Sequence, residues 1–117
     1  MPSSQIDFAE LLVRVENDRE LMRELLSTFK EEFPQRHRAL GKAVESLDAK
    51  QVVAEAHAVK GMLSNLAARE AAEAAGRLEQ LGREGKSGEF QESLVAFDSI
   101  AQELLRQLDA CLAEVSG

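Results

Sequence analysis

Apolar residues recur at steps of three and four along most of the chain, the spacing that places them on one face of an α-helix. The pattern predicts five helices, namely a short one capped by Asp7, a long one from Asp18 to about Leu47, a third from Asp48 to about Ala67, a fourth over 69–81, and a fifth that ends near Val115. Short connections between long amphipathic helices favour an all-α fold, an antiparallel four-helix bundle with a short additional N-terminal helix. Residues 5–117 are predicted to form this single domain.

Local breaks in the pattern define the connections. Asn17 and Asp18 separate the first two helices, and Pro34 is predicted to kink the second helix without ending it, because the periodicity resumes afterwards. The glycine-rich run over 82–88 is predicted to be a loop. Residues 1–4 are interpreted as a flexible leader, either a cloning remnant or the tail of a linker from a longer protein.

The third helix carries the most informative chemistry, a histidine with a lysine and a glycine one turn beyond it. Apolar residues occupy roughly the opposite third of the helical wheel, and these are Val52, Ala56, Val59, Leu63 and Leu66. His57 is therefore predicted to point away from the core. The residues around it on the wheel form a patch with only one long side chain, and they are Val53, Ala54, Lys60, Gly61, Ser64 and Ala68.

Gly61 needs an explanation, because glycine inside a helix costs about 1 kcal/mol relative to alanine. It either lets a neighbouring helix pack tightly or clears space beside His57 for an incoming partner. Its position away from the apolar stripe favours the second explanation.

Composition narrows the possible functions. A net charge of −7, with no basic stripe interleaved with aromatic residues, argues against a nucleic-acid partner. No segment approaches the roughly 18 apolar residues of a membrane span, so no membrane contact by this domain is expected and a cytoplasmic location is predicted. Cys111 is the only cysteine, cannot form an internal disulfide, and is expected to be a small buried apolar residue.

Several other residues have ordinary structural interpretations. His37, between Arg36 and Arg38, is predicted to lie in an exposed basic patch, and two histidines on different helices do not make a metal site. Phe29 and Phe33 fit the core stripe, although that stripe is wide enough for one of them to be exposed for docking.

The segment around His57 also resembles a known family. Histidine-containing phosphotransfer (HPt) domains of bacterial multistep phosphorelays carry a pattern close to A-H-x-L-K-G-x-x-x-N-L, and this chain has Ala56-His57-Ala58-Val59-Lys60-Gly61-Met62-Leu63-Ser64-Asn65-Leu66. The pattern departs at Ala58, where Thr or Ser is common, and at Met62 and Leu63, where small residues are usual. Many members place a glutamine on the next helix that reaches the histidine. The matching offset holds Glu79, with Gln80 beside it, and the sequence assigns neither a role.

The resemblance implies a phosphocarrier. His57 would accept a phosphoryl group from a receiver-domain aspartate and pass it to another receiver, Lys60 would neutralise phosphoryl oxygens, and the residues around Gly61 would contact the receiver. The expected docking residues are Val53, Ala54, Gly61 and Ser64. The chain lacks a nucleotide-binding glycine loop, so no kinase activity and no cofactor are expected of it, and Mg²⁺ would be held by the partner receiver.

Three alternatives stay open at this point. The domain could be a catalytically inactive helical scaffold that only binds receivers. It could be the phosphoacceptor domain of a chemotaxis-type histidine kinase. It could also be one part of a hybrid sensor kinase rather than a separate protein.

Overall fold

The computed structural model describes the backbone of residues 5–116 and the side chains of residues 5–113. Five α-helices account for most of this part of the chain, and a single-turn 3-10 helix, Ser87–Glu89, precedes the last of them. The helices are α1 Phe8–Arg14, α2 Arg19–Glu45, α3 Ala49–Asn65, α4 Arg69–Arg83 and α5 Phe90–Ser116. No strand occurs between residues 5 and 116, and the predicted all-α bundle is confirmed. The predicted leader, residues 1–4, lies outside the described residues.

The four long helices form a ring in which each packs against two neighbours. α3 packs most extensively on α4 and also on α2, while α5 closes the ring between α4 and α2. α3 and α5 therefore lie at opposite corners of the bundle. The five residues predicted as the inner stripe of α3 are all buried, with at most 3% of their surface exposed.

Aspartate side chains begin the first three helices, as the sequence predicts. Asp7, Asp18 and Asp48 each accept a hydrogen bond from the backbone N–H three residues later, at 3.0, 3.0 and 3.2 Å. The turns after α2 and α3 pass through Leu47 and Ala67, both in the left-handed region with φ of 56°. These caps and turns set where each helix begins or ends and keep the connections short.

α2 runs without interruption through Pro34, so the prediction that the proline does not end the helix is confirmed. Phe29 and Phe33 are both buried and stack with ring centroids 4.9 Å apart. The residues of the wide α2 stripe that reach the surface are instead Leu21 and Leu25, which are 41% and 38% exposed.

The fourth helix is longer than predicted. It continues through Gly82 and Arg83, which the sequence places in a loop. Gly82 is buried, and a β-carbon added to it would lie 2.8 Å from Val53 Cγ2 and 3.1 Å from the Ala49 carbonyl oxygen. Close packing on α3 thus favours the helical conformation over the local preference of glycine.

His37 does not lie in an exposed basic patch. Its Nε2 lies 2.6 Å from Asp98 Oδ1 of α5, and its ring packs against Phe33 and Phe97 with centroids 5.7 and 6.3 Å away. The pair joins two helices far apart in sequence, which periodicity alone does not reveal.

Two smaller expectations also change. Ala68 is fully buried, because α3 ends at Asn65 and the helical wheel no longer applies beyond it. Cys111 is half-buried at the edge of the core, where it packs beside fully buried residues.

Candidate functional site

The His57 imidazole projects from the middle of α3 into solvent. Its side chain is 69% exposed, while the neighbouring Ala56 on the inner face is completely buried. The prediction that this ring points away from the core is confirmed. An exposed imidazole on a rigid helix is accessible to another protein without any rearrangement of the bundle.

A buried carboxylate on α4 holds the ring from behind. Glu79 has only 8% of its side chain exposed, and its Oε2 lies 3.1 Å from His57 Nδ1. α3 and α4 meet along alanine-rich surfaces, which bring the two helices close enough for this contact across 22 residues of sequence. Glu79 is the one buried charged residue among residues 5–113.

Two cationic side chains, Arg83 and Lys60, also contact Glu79. Arg83, one turn later on α4, donates from a terminal guanidinium nitrogen to Oε2 at 2.7 Å. Lys60 of α3 places Nζ 3.6 Å from the other oxygen, Oε1. The site is therefore a carboxylate surrounded by an imidazole, a guanidinium and an ammonium group, and the two helices supply two residues each.

This environment lowers the pKa of Glu79 from its ordinary value. The hydrogen bond from Arg83 is the largest cause, and the hydrogen bond and charge of His57 and the charge of Lys60 add to it, while burial opposes the shift. Glu79 is consequently ionised at neutral pH.

The ionised state of Glu79 determines which nitrogen of His57 carries the proton. A carboxylate can only accept hydrogen bonds, so the contact with Nδ1 requires a proton on Nδ1. In the neutral ring Nε2 then bears the free lone pair. The geometry thus keeps Nδ1 against the protein and leaves Nε2, on a side chain that is 69% exposed, with the lone pair that a nucleophile needs.

The surface beside His57 is open. Gly61 is exposed, and a β-carbon built on it would have no atom within 4 Å, so no neighbouring helix packs against it. Of the two explanations for this glycine, tight helix packing is excluded. Ala54 and Ser64 are also exposed, whereas Val53 is half-buried because its side chain packs against Gly82 of α4.

An apolar groove lies between α2 and the C-terminal end of α3. Leu21 and Leu25 lie on its α2 side, and Met62 and Asn65 lie on its α3 side. Glu24 and Glu32 also line it. Met62, which departs from the family pattern, is half-buried and packs against the core at this edge.

Sequence reasoning located His57, Lys60 and Gly61 but missed half of the ionic cluster. The sequence places Glu79 at the offset of the family's glutamine but predicts no role for it, and it predicts that Arg83 lies in a loop. The usable signal was the spacing of four between Glu79 and Arg83, which predicts an ion pair only once α4 is known to extend to Arg83.

Between residues 5 and 113, no group of three or more histidine, cysteine, aspartate or glutamate side chains is arranged to hold a metal ion. No helix among the described residues is long and apolar enough to cross a membrane.

Comparisons with known proteins agree with this geometry. The family model described as "Hpt domain" matches residues 24–117. The fold is similar to the crystal structure of histidine-containing phosphotransfer protein B (HptB) from Pseudomonas aeruginosa PAO1, with a TM-score of 0.85 and 23% sequence identity over 97% of this chain and 98% of that one. Comparison with curated proteins returns no match.

Proposed function

The chain belongs to the Hpt domain family, and on that premise we propose that it carries a phosphoryl group on Nε2 of His57 between receiver domains of a multistep phosphorelay. A histidine phosphotransfer role in phosphorelays follows from the family. The single observation that carries the residue assignment is a 69% exposed imidazole whose Nδ1 is held by a buried carboxylate, which leaves Nε2 with the free lone pair.

The transfer balances without any added base. The Nε2 lone pair attacks the phosphorus of an aspartyl phosphate, the bond from phosphorus to the aspartate oxygen breaks, and the aspartate leaves as a carboxylate. The imidazole keeps its proton on Nδ1 and becomes positively charged. Glu79, 3.1 Å away, stabilises that developing charge as a buried carboxylate does for a catalytic histidine.

The return step is the reverse. An aspartate oxygen of the second receiver attacks phosphorus, the bond to Nε2 breaks, and its electron pair returns to the neutral ring. Lys60 lies on the same face of α3, one turn from His57, and its side chain is 47% exposed. We assign it to the phosphoryl oxygens, where a mobile positive charge offsets negative charge in the transition state.

Receiver docking is assigned to the surface around His57. Ala54, Gly61 and Ser64 provide exposed small residues that let the receiver approach the ring, and Val53 contributes the exposed part of its side chain. The groove with Leu21 and Leu25 adds the apolar area that a protein interface needs at its centre.

Divalent metal chemistry is assigned to the partner. Receivers would bring Mg²⁺ on their own carboxylates, because the Glu79 carboxylate beside His57 is occupied by the imidazole and by two cationic side chains, Lys60 and Arg83. We place the exchange in the cytoplasm, whose reducing conditions suit a chain with one cysteine.

A phosphotransfer assay tests the proposal directly. The purified chain is mixed with a receiver phosphorylated on its aspartate, and acid-labile label on the chain is followed with time. His57→Gln should abolish labelling, whereas His37→Gln, which changes the other histidine, should keep it. Acid-labile label that persists in His57→Gln would contradict the assignment.

The same assay separates the alternatives. A scaffold would bind receivers and remain unlabelled under saturating phosphodonor. A chemotaxis-type phosphoacceptor would be labelled by a partner kinase and ATP but not by a phosphorylated receiver.

A further inference from the structure

The face of α4 that lies against Lys60 has a glycine at its centre. Gly76 is half-buried in the middle of α4, and alanines occupy 74 and 75. A β-carbon built on Gly76 would lie 3.6 Å from Lys60 Cδ and 3.9 Å from Lys60 Cε. The apolar stem of the lysine therefore runs directly across this glycine.

Gly76 and Glu79 act on the two ends of the same side chain. They are three residues apart and so lie on one face of α4. The stem of Lys60 rests on Gly76, and its Nζ lies 3.6 Å from Glu79 Oε1. A lysine side chain has four flexible bonds, so an apolar support and a charge partner together restrict where its ammonium group can be.

Glycine is a poorer helix former than alanine, and α4 is otherwise rich in alanine. A β-carbon at 76 would make only ordinary contact with the Lys60 stem, so position 76 has room for glycine or alanine but not for a bulkier side chain branched at the β-carbon. Gly61 and Gly41 offer a contrast, because no atom lies within 4 Å of a β-carbon added to either.

We propose that Gly76 is a positioning residue for phosphotransfer. By leaving space on α4 it lets the Lys60 stem lie flat, which sets the ammonium group beside the Glu79 carboxylate and within reach of a phosphoryl group on His57. The inference rests on the proposed function, because the position of Lys60 affects a rate only if His57 carries phosphate.

Side-chain size at position 76 provides the test. Gly76→Ala adds one carbon at an ordinary contact distance, so transfer should stay within about twofold of the wild-type rate. Gly76→Val adds a β-carbon and two methyl groups beside the space that the stem fills, and valine is no worse a helix former than glycine. It should slow single-turnover transfer at saturating receiver by about tenfold, the same slowing that is expected of Lys60→Ala if the lysine contributes one charged hydrogen bond.

Matched variants test whether Gly76→Val slows transfer by displacing Lys60. In a Lys60→Ala background, Gly76→Val should slow transfer no further, and the Kd for the receiver should stay unchanged in both. Gly41→Val, a helical glycine with free space on α2, should transfer at the wild-type rate. Wild-type transfer by Gly76→Val, or an equal slowing in the Lys60→Ala background, would overturn the inference.

Thermal unfolding tests the contact even if Gly76→Val is too unstable to assay. Removing the lysine stem should relieve the crowding, so the double variant should unfold at a higher temperature than Gly76→Val alone. A double variant that is no more stable would count against the contact. A wild-type chain that accepts no phosphate would defeat the proposed function and leave this unfolding result standing.

Discussion

Replacing Glu79 perturbs the part of the site that the sequence did not assign. Glu79→Ala removes the acceptor of the Nδ1 proton, so the neutral ring is free to place its proton on Nε2 and lose the exposed lone pair. It also removes the negative charge that faces the imidazole as that ring becomes cationic. Both effects slow transfer, and neither requires a change in the position of α3.

The size of the effect follows from the contact and its exposure. A hydrogen bond to a charged group contributes about 1.5–3 kcal/mol, which corresponds to roughly 10- to 100-fold in rate. Glu79 is buried, but the His57 side chain is 69% exposed and can exchange its lost partner for water. We therefore expect the lower end, a reduction of about tenfold. Glu79→Gln should cost less, since the amide oxygen can still accept the Nδ1 proton.

Single-turnover transfer from a phosphorylated receiver, quenched at short times and resolved by gel, measures these rates. Glu73→Ala is the matched control, because Glu73 is an exposed carboxylate on α4. Circular dichroism confirms that each variant is folded. Wild-type transfer by Glu79→Ala would refute the tautomer argument. A Glu79→Gln variant as slow as Glu79→Ala would show that charge, rather than the acceptor, matters.

Three further predictions concern packing, docking and pH. Gly82→Ala should lower the free energy of unfolding by about 1 kcal/mol, because overpacking against α3 exceeds the gain in helix propensity. Gly41→Ala, which meets no neighbouring atom, should raise it by up to about 1 kcal/mol. Urea unfolding measures both, and stabilisation by Gly82→Ala would contradict the observed packing. Leu25→Asp should weaken receiver binding, measured by calorimetry, about tenfold or more, while Val95→Asp, at an exposed apolar residue of α5, should leave it unchanged. Equal receiver affinities for Leu25→Asp and wild type would show that the groove is not part of the interface. The pKa of Glu79 is lowered, so its stabilising contribution is complete above its ordinary value of about 4.5 and is lost as pH falls through the lower folded value. The difference in thermal stability between wild type and Glu79→Gln should therefore shrink as pH falls through that range, and a difference that does not change there would contradict the lowered pKa.

The sequence predicted the features of the fold that depend on neighbouring residues. Three helices begin at an aspartate whose side chain accepts a hydrogen bond from the backbone N–H three positions later, at Asp7, Asp18 and Asp48. The inner stripe of α3 follows from helical periodicity alone. The outward direction of His57 came from the same periodicity. These features need no knowledge of how the helices pack together.

The features that were missed depend on contacts between helices. The end of α4 is fixed by packing of Gly82 against α3, which no local rule for glycine contains. Ala68 lies past the end of α3, where a helical wheel has no meaning. His37 pairs with Asp98, which is 61 residues away in sequence.

The ionic cluster at the site also depends on contacts between helices and is therefore not predictable from local sequence patterns. The Glu79 carboxylate reaches His57 only because α3 and α4 pack along alanine-rich faces, and Arg83 joins them only because α4 extends past Gly82. The motif around His57 predicts a nucleophile, while the groups that hold its Nδ1 proton are visible only from the packing of α3 on α4.

The position of the phosphoryl group on the imidazole tests the account most directly. The phosphorylated chain is prepared with ¹⁵N-labelled histidine, and two-dimensional ¹H–¹⁵N and ³¹P NMR identifies the nitrogen bonded to phosphorus. We expect phosphate on Nε2 of His57, with the proton retained on Nδ1. Phosphate on Nδ1, or on His37 instead, would contradict a site in which Glu79 occupies Nδ1 and leaves Nε2 free for transfer.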